Sequence, residues 1–237
     1  MLIFPAIDLY EGKAVRLFRG DYRQKTVYSD SPVSVALRMK ASGASAVHLV
    51  DLEGARDGTT PNFDLVTEIC KESGLFCEVG GGIRSMDTVE RYLSAGIDRV
   101  ILGTAAVRDP GLIATAVRCF KSRIAVGADI RDGKLSVSGW TEDSDMDVYD
   151  FFGQMESLGV KTVICTDISK DGAMHGTNRA LYRSLSERYP VHITASGGVS
   201  AIEDIRALRD LGLYAAIIGK AYYTGAVSLE QAIREAL

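Results

Sequence analysis

A chain of 237 residues with 27 basic and 31 acidic side chains carries a net charge of −4. That balance excludes the basic face that a nucleic acid or an anionic membrane would require. It leaves small anionic ligands open, because they need only local donors. The first ten residues are apolar but lack a basic lead-in and meet Asp8 early, so they do not read as a signal peptide, and no apolar run is long enough to span a bilayer.

In chain order, short apolar runs alternate with amphipathic segments. Residues 3–8 form the first predicted strand, and Ser31-Pro32 opens a helix that stops at Gly43. A strand over 46–51 precedes a helix from Asn62 to Gly74. A strand over 76–80 precedes one from Ser85 to Gly96, and a strand over 99–102 precedes one opened by Asp109-Pro110. Strands over 124–129, 162–166, 192–195 and 215–218 complete the series; Ser200 opens a helix that Gly212 terminates, and Ser228 caps the last. Nearly continuous apolar character marks strands covered on both faces, as in a parallel sheet. No linker rich in Pro, Gly or Ser interrupts the alternation, so residues 1–237 read as one α/β domain. Cys70, Cys77, Cys119 and Cys165 form no C-x-x-C pair, and His48, His175 and His192 are too scattered for a metal site. The thiols read as free, in a reducing cytoplasm.

An open doubly wound sheet fits the same alternation, so a second observation is needed. The segment 79–83 resembles 195–199, and 101–105 resembles 217–221. Gly81 to Gly197, Gly103 to Gly219 and Asp51 to Asp167 are all 116 positions apart, and Asp8 to Asp129 is 121. Two four-unit halves close naturally into a (β/α)8 TIM barrel with an internal half-barrel repeat.

Chemistry in such barrels sits where the strands run into the helices. Gly81, Gly82, Gly103 and Thr104 in one half, and Gly197, Gly198, Gly219 and Lys220 in the other, stand at those ends. A single Gly-Gly turn is often only a tight connection. Paired turns repeated across a twofold read as two phosphate cradles, whose backbone N–H groups hold the oxygens. Asp8 and Asp129 end strands one and five, opposite each other, with alternation placing both on the interior face. An Asp that caps its own loop is the bland alternative for either one alone. As a pair between two cradles they suit acid–base work, one protonated and one ionised. Thr166 and Asp171 face the same mouth, and Asp171-Gly172 also reads as an ordinary turn. Trp140, after Asp132-Gly133 in a hairpin loop, offers a flat surface for an aromatic base. His48 lines the site or fills the core. Arg16, Arg19 and Arg84 are within reach of a phosphate.

These residues carry a resemblance. Residues 5–9, Gly12 through 15–17 to Gly20, 48–52, 80–84, Ser138-Gly139-Trp140, 166–168 with Asp171-Gly172, 196–199 and 219–221 resemble the ProFAR isomerase family of histidine biosynthesis, from residue 2 to near the C-terminus. The resemblance implies an Amadori rearrangement of a bisphosphorylated aminoaldose to its aminoketose without a cofactor. It also implies Asp8 as base, Asp129 as acid, and the four glycine turns as phosphate sites. The expected partner is that small molecule alone, on a monomeric chain. One departure is Ala173, where the family usually has Thr. The cyclase of the next histidine step is similar but tends to end its first-loop run in Lys, where this chain has Val15-Arg16-Leu17. A relative that also serves tryptophan synthesis usually has Arg where Ser138 stands. A non-catalytic barrel that senses phosphometabolites would not need both aspartates.

Overall fold

The computed structural model describes residues 1–18 and 20–237; Arg19 lies outside the described residues. Eight parallel strands close into a ring: Leu2–Tyr10, Ala46–Asp51, Phe76–Gly80, Arg99–Leu102, Ile124–Arg131, Thr162–Asp167, His192–Ser196 and Ala215–Ile218, the last pairing back onto the first. The protein is a (β/α)8 barrel, as the half-length repeat suggested.

The outer faces of the strands pack against the helices in one continuous core that includes Ile7, Leu49, Val79, Leu102, Val126 and Ile218. A smaller cluster fills the barrel itself, with Phe4, Ala6, Ala46, Ile101, Ala125, Ile164, Ala215 and Ile217. The side-chain alternation of a strand produces this division, since neighbouring residues serve opposite faces. Small residues dominate the inner set, and burying Phe4 there removes a whole ring from water, worth roughly 1.5–3 kcal/mol.

Helix starts follow the sequence signals in most cases. Ser31 accepts from the Ser34 N–H ahead of Pro32–Ala41, and Ser85 and Asp109 cap Met86–Ser94 and Pro110–Phe120 in the same way. Ser228 caps Leu229–Glu235. Ser200 does not open its helix. The helix is Ile202–Asp210, and its Asp204 carboxylate reaches back to accept from Ser200 N, Ser200 Oγ and Ala201 N.

Strands one and five do not end at their aspartates. Each runs two residues further into a β-hairpin, with partners Lys13–Phe18 and Asp21–Ser29 after strand one, and Lys134–Val137 and Glu142–Asp147 after strand five. The turns are Glu11-Gly12 and Asp132-Gly133, each with two consecutive positive φ values, 50° and 73° in the first and 50° and 81° in the second. That geometry matches the twist of the flanking strands. Both hairpins rise over the C-terminal mouth of the barrel. No described helix is long and apolar enough to cross a membrane.

Candidate active site

One cavity of about 1430 Å3, open to solvent, occupies the mouth of the barrel, and every site residue singled out from sequence except Arg19, which lies outside the described residues, lines it. Asp8 is buried, and Asp129 is partly open to the cavity. The Arg16 guanidinium, delivered by the first hairpin, lies 2.9 Å from Asp8 and 3.4 Å from Asp171. Asp129 has no cation at that distance among the described residues. The Trp140 indole, delivered by the second hairpin, and the Thr166 hydroxyl face it as neutral donors. Thr166 reaches this place because its strand pairs with strand five in the register Thr166 to Asp129. Thr166 therefore serves Asp129; the donor beside Asp8 is Arg16.

Burial raises both carboxyls above the ordinary aspartate value. At Asp8 the Arg16 charge opposes that rise, and at Asp129 only the neutral donors do so strongly. Asp171, a further carboxylate close by, pushes both upward. Two equivalent positions in a repeated scaffold thus meet different partners, a cation at Asp8 and neutral donors at Asp129.

The glycine turns have a second purpose that sequence did not indicate. At Gly81 and Gly82 a Cβ would run into the carbonyls of Asp51 and Thr59, and at Gly197 and Gly198 into those of Asp167 and Gly176. These residues are glycine because the loops after strands two and six lie against them. The N–H groups of Gly82, Thr104, Gly198 and Lys220 make no hydrogen bond among the described residues, which leaves two pairs of donors across the mouth. A Cβ at Gly219 would lie 2.5 Å from the Arg16 guanidinium, so this turn and the Asp8 ion pair are in contact.

Three predicted binding side chains take partners that the sequence did not specify. Arg84 is exposed and turns away from its glycine turn to donate to the Ala55 carbonyl over Gly58. Lys220 donates to the Gly172 carbonyl at 3.0 Å. Trp140 packs against Gly20, and residues 138–140 hold three consecutive positive φ values of 55°, 63° and 69°. Thr104 receives the Ser138 N–H on its hydroxyl and so ties the Gly103-Thr104 turn to this loop.

Sequence reasoning missed the supports beneath the site. Asp51 accepts from Asn62 N and Nδ2, and Asp167 accepts from Asn178 Nδ2 and Ser169. The two asparagines are again 116 positions apart and each precedes a helix, Phe63–Ser73 and Arg179–Arg188. Also missed were Glu78 and Arg99, charged residues set in otherwise apolar strands; that misfit was the available signal. Tyr223, which donates to the Ala6 carbonyl at 2.9 Å below Asp8, had none.

Residues 2–228 match the model of a family described as histidine biosynthesis protein. A protein of Oceanobacillus iheyensis named 1-(5-phosphoribosyl)-5-((5-phosphoribosylamino)methylideneamino)imidazole-4-carboxamide isomerase is 45% identical over 230 residues, 97% of this chain and 96% of its own. Proteins of the same name from Dehalococcoides mccartyi and Ruminiclostridium cellulolyticum are 46% and 44% identical, over 99% and 98% of this chain and 99% of each of theirs.

Proposed function

The chain belongs to the histidine biosynthesis protein family, and from that premise we propose that it is the aldose–ketose isomerase its relatives are named for. As one barrel domain, monomeric and cytoplasmic, it converts the bisphosphorylated aminoaldose to the aminoketose by an Amadori rearrangement that uses no cofactor. The observation that carries the reading is the pair Asp8 and Asp129 facing one cavity between two pairs of unbonded turn N–H groups.

Asp129 gives its proton to the ribose ring oxygen. The C1′–O bond breaks as the nitrogen lone pair forms a C=N bond. Asp8 takes the proton from C2′, and the released electron pair makes the enolamine. Loss of the O2′ proton and return of a proton to C1′ complete the ketone, so oxidation at C2′ is balanced by reduction at C1′. Burial raises both carboxyls; Asp8 is the base because the Arg16 guanidinium beside it opposes that rise and favours its charged form, and Asp129 is the acid because it faces neutral donors and no cation. Gly81, Gly82, Gly103 and Thr104 hold one phosphate, and Gly197, Gly198, Gly219 and Lys220 the other, through backbone donors. Arg84 stands at the rim of the first. Trp140 forms the flat wall for the imidazole carboxamide, and Asp171 orients Arg16.

The test is proton NMR of the substrate with purified protein. Loss of the anomeric signal and growth of the ketose signals is the expected result. A folded protein that leaves authentic substrate unchanged rules out this function.

A further inference from the structure

Under the floor of the site, three neighbouring parallel strands align His48, Glu78 and Arg99 in one register row. Glu78 is fully buried. Its Oε2 accepts from the Arg99 guanidinium at 3.1 Å, and its Oε1 lies 2.8 Å from Nδ1 of His48. Arg99 continues to the Tyr214 hydroxyl at 3.2 Å. A buried ion pair is costly to build and is often no more stable than apolar residues of the same volume. Its place here, ending on a cavity-lining imidazole, points to a use in the chemistry.

A carboxylate already bound by a guanidinium acts as acceptor on its other oxygen, so the hydrogen between Glu78 and His48 sits on Nδ1. The other ring nitrogen, Nε2, has no partner among the described residues and is not a sealed, unpartnered atom; it opens on the cavity that His48 lines. His48 stands one step deeper than Asp8 on the adjacent strand, since its register partner is Ala6 while that of Asp8 is Val50. The charged groups around it are Asp8, Asp129, Glu78 and Arg99, with Arg16 and Asp171 beyond Asp8.

We propose that Glu78 is a positioning residue for the isomerisation, clamped by Arg99 so that His48 presents a bare Nε2 to the hydroxyl at C2′ of the substrate. The proposal rests on the isomerase reading given above. It supplies what the two aspartates leave open, a destination for the O2′ proton. After Asp8 has taken the C2′ proton, the O2′–H bond must break for the C2=O bond to form. Nε2 accepts that proton, and the imidazolium is balanced by Glu78. The electron pair moves through the enolamine to C1′, which receives its proton from Asp8. His48 then releases its proton through the open mouth, and Asp129 is reprotonated from the same solvent.

Long-range proton–nitrogen correlation on protein labelled in its histidines reads the tautomer directly, the His48 signals being those lost in His48→Asn. A protonated Nδ1 with bare Nε2 is expected; the reverse tautomer overturns the proposal whether or not the protein turns over substrate. In kinetics, Glu78→Gln should lower kcat roughly 10- to 100-fold, the range for losing the partner that orients a working imidazole, with KM little changed. Glu78→Gln/Arg99→Met, which also removes the orphaned cation, should regain melting temperature but not kcat. Recovery of both would make the row a core filler and overturn the proposal. Failure of the isomerase reading itself would appear as no turnover by the unmodified protein, which leaves the tautomer measurement decisive.

Discussion

The two halves of the barrel place an aspartate at the same position and send the chain into the same kind of hairpin, yet they deliver opposite partners. In the first half the hairpin carries Arg16, which pairs with Asp8 at 2.9 Å. In the second it carries Trp140, which meets Asp129 without a charge. The turns that start the hairpins are equivalent, and the strand ends are equivalent. The difference lies in Arg16 on one hairpin against Trp140 on the other, and in Thr166 beside Asp129 where Val50 stands beside Asp8. A repeated scaffold therefore supplies two carboxylates cheaply, and the inserted hairpins break the symmetry that acid–base chemistry cannot tolerate.

The hardest test of that asymmetry removes the carboxylates in turn. Asp8→Asn and Asp129→Asn are each expected to lose about 10²–10⁴-fold in kcat, with KM little changed, because the proposed function assigns the grip to the glycine turns and not to the carboxylates. Substrate supplied already opened to the Schiff base should restore much of the rate to Asp129→Asn and none to Asp8→Asn. Equal responses would mean that the two halves are not specialised.

A milder test exchanges the partners. Arg16→Met leaves Asp8 buried without its cation and raises its proton affinity. The base must be ionised, so the acidic limb of the kcat/KM profile should move to higher pH. Trp140→Phe removes a neutral donor worth about 1 kcal/mol from Asp129, so there the basic limb should rise, and by less. Movement of the same limb in both variants would contradict the assignment of roles.

Stability should show the cost of the acid. Asp129 has a folded pKa above its ordinary value of 3.8, so its contribution to stability is full below 3.8 and is lost as pH rises through the folded value. Asp129→Asn, which keeps the shape and drops the charge, is expected to melt higher than the unmodified protein at neutral pH, with the gap closing as pH falls toward 3.8. An unchanged gap would show that burial is not what sets this carboxyl. The smallest effect is expected beneath the site. Asn62→Ala and Asn178→Ala should each cost about 1 kcal/mol, read as a fall of about 2–4 °C in Tm. Similar losses in the two would show that the loops after strands two and six are equivalent supports, unlike the hairpins above them.

Sequence by itself determined the ring of strands, the half-length repeat and the list of residues around the mouth. Those features come from local periodicity and from residue types with few uses, such as Gly81-Gly82 and its counterpart Gly197-Gly198. It also located the Asp132-Gly133 turn, because that dipeptide favours two consecutive positive φ values. Tertiary structure decided which partner each residue received. Arg84 was legible as a cation beside a glycine turn and Lys220 as part of one, but their side chains are long, and nearby carbonyls of Ala55 and Gly172 claim them. Thr166 was legible as a hydroxyl at the mouth, but only the register of strands five and six sets it beside Asp129 rather than Asp8. Glu78 and Arg99 went unnoticed in the sequence, and only the alignment of three strands sets them beside His48. Periodicity records which face a residue occupies; pairing across strands distant in the chain is fixed only when the barrel closes, and in this protein the acid–base assignment depends on that pairing.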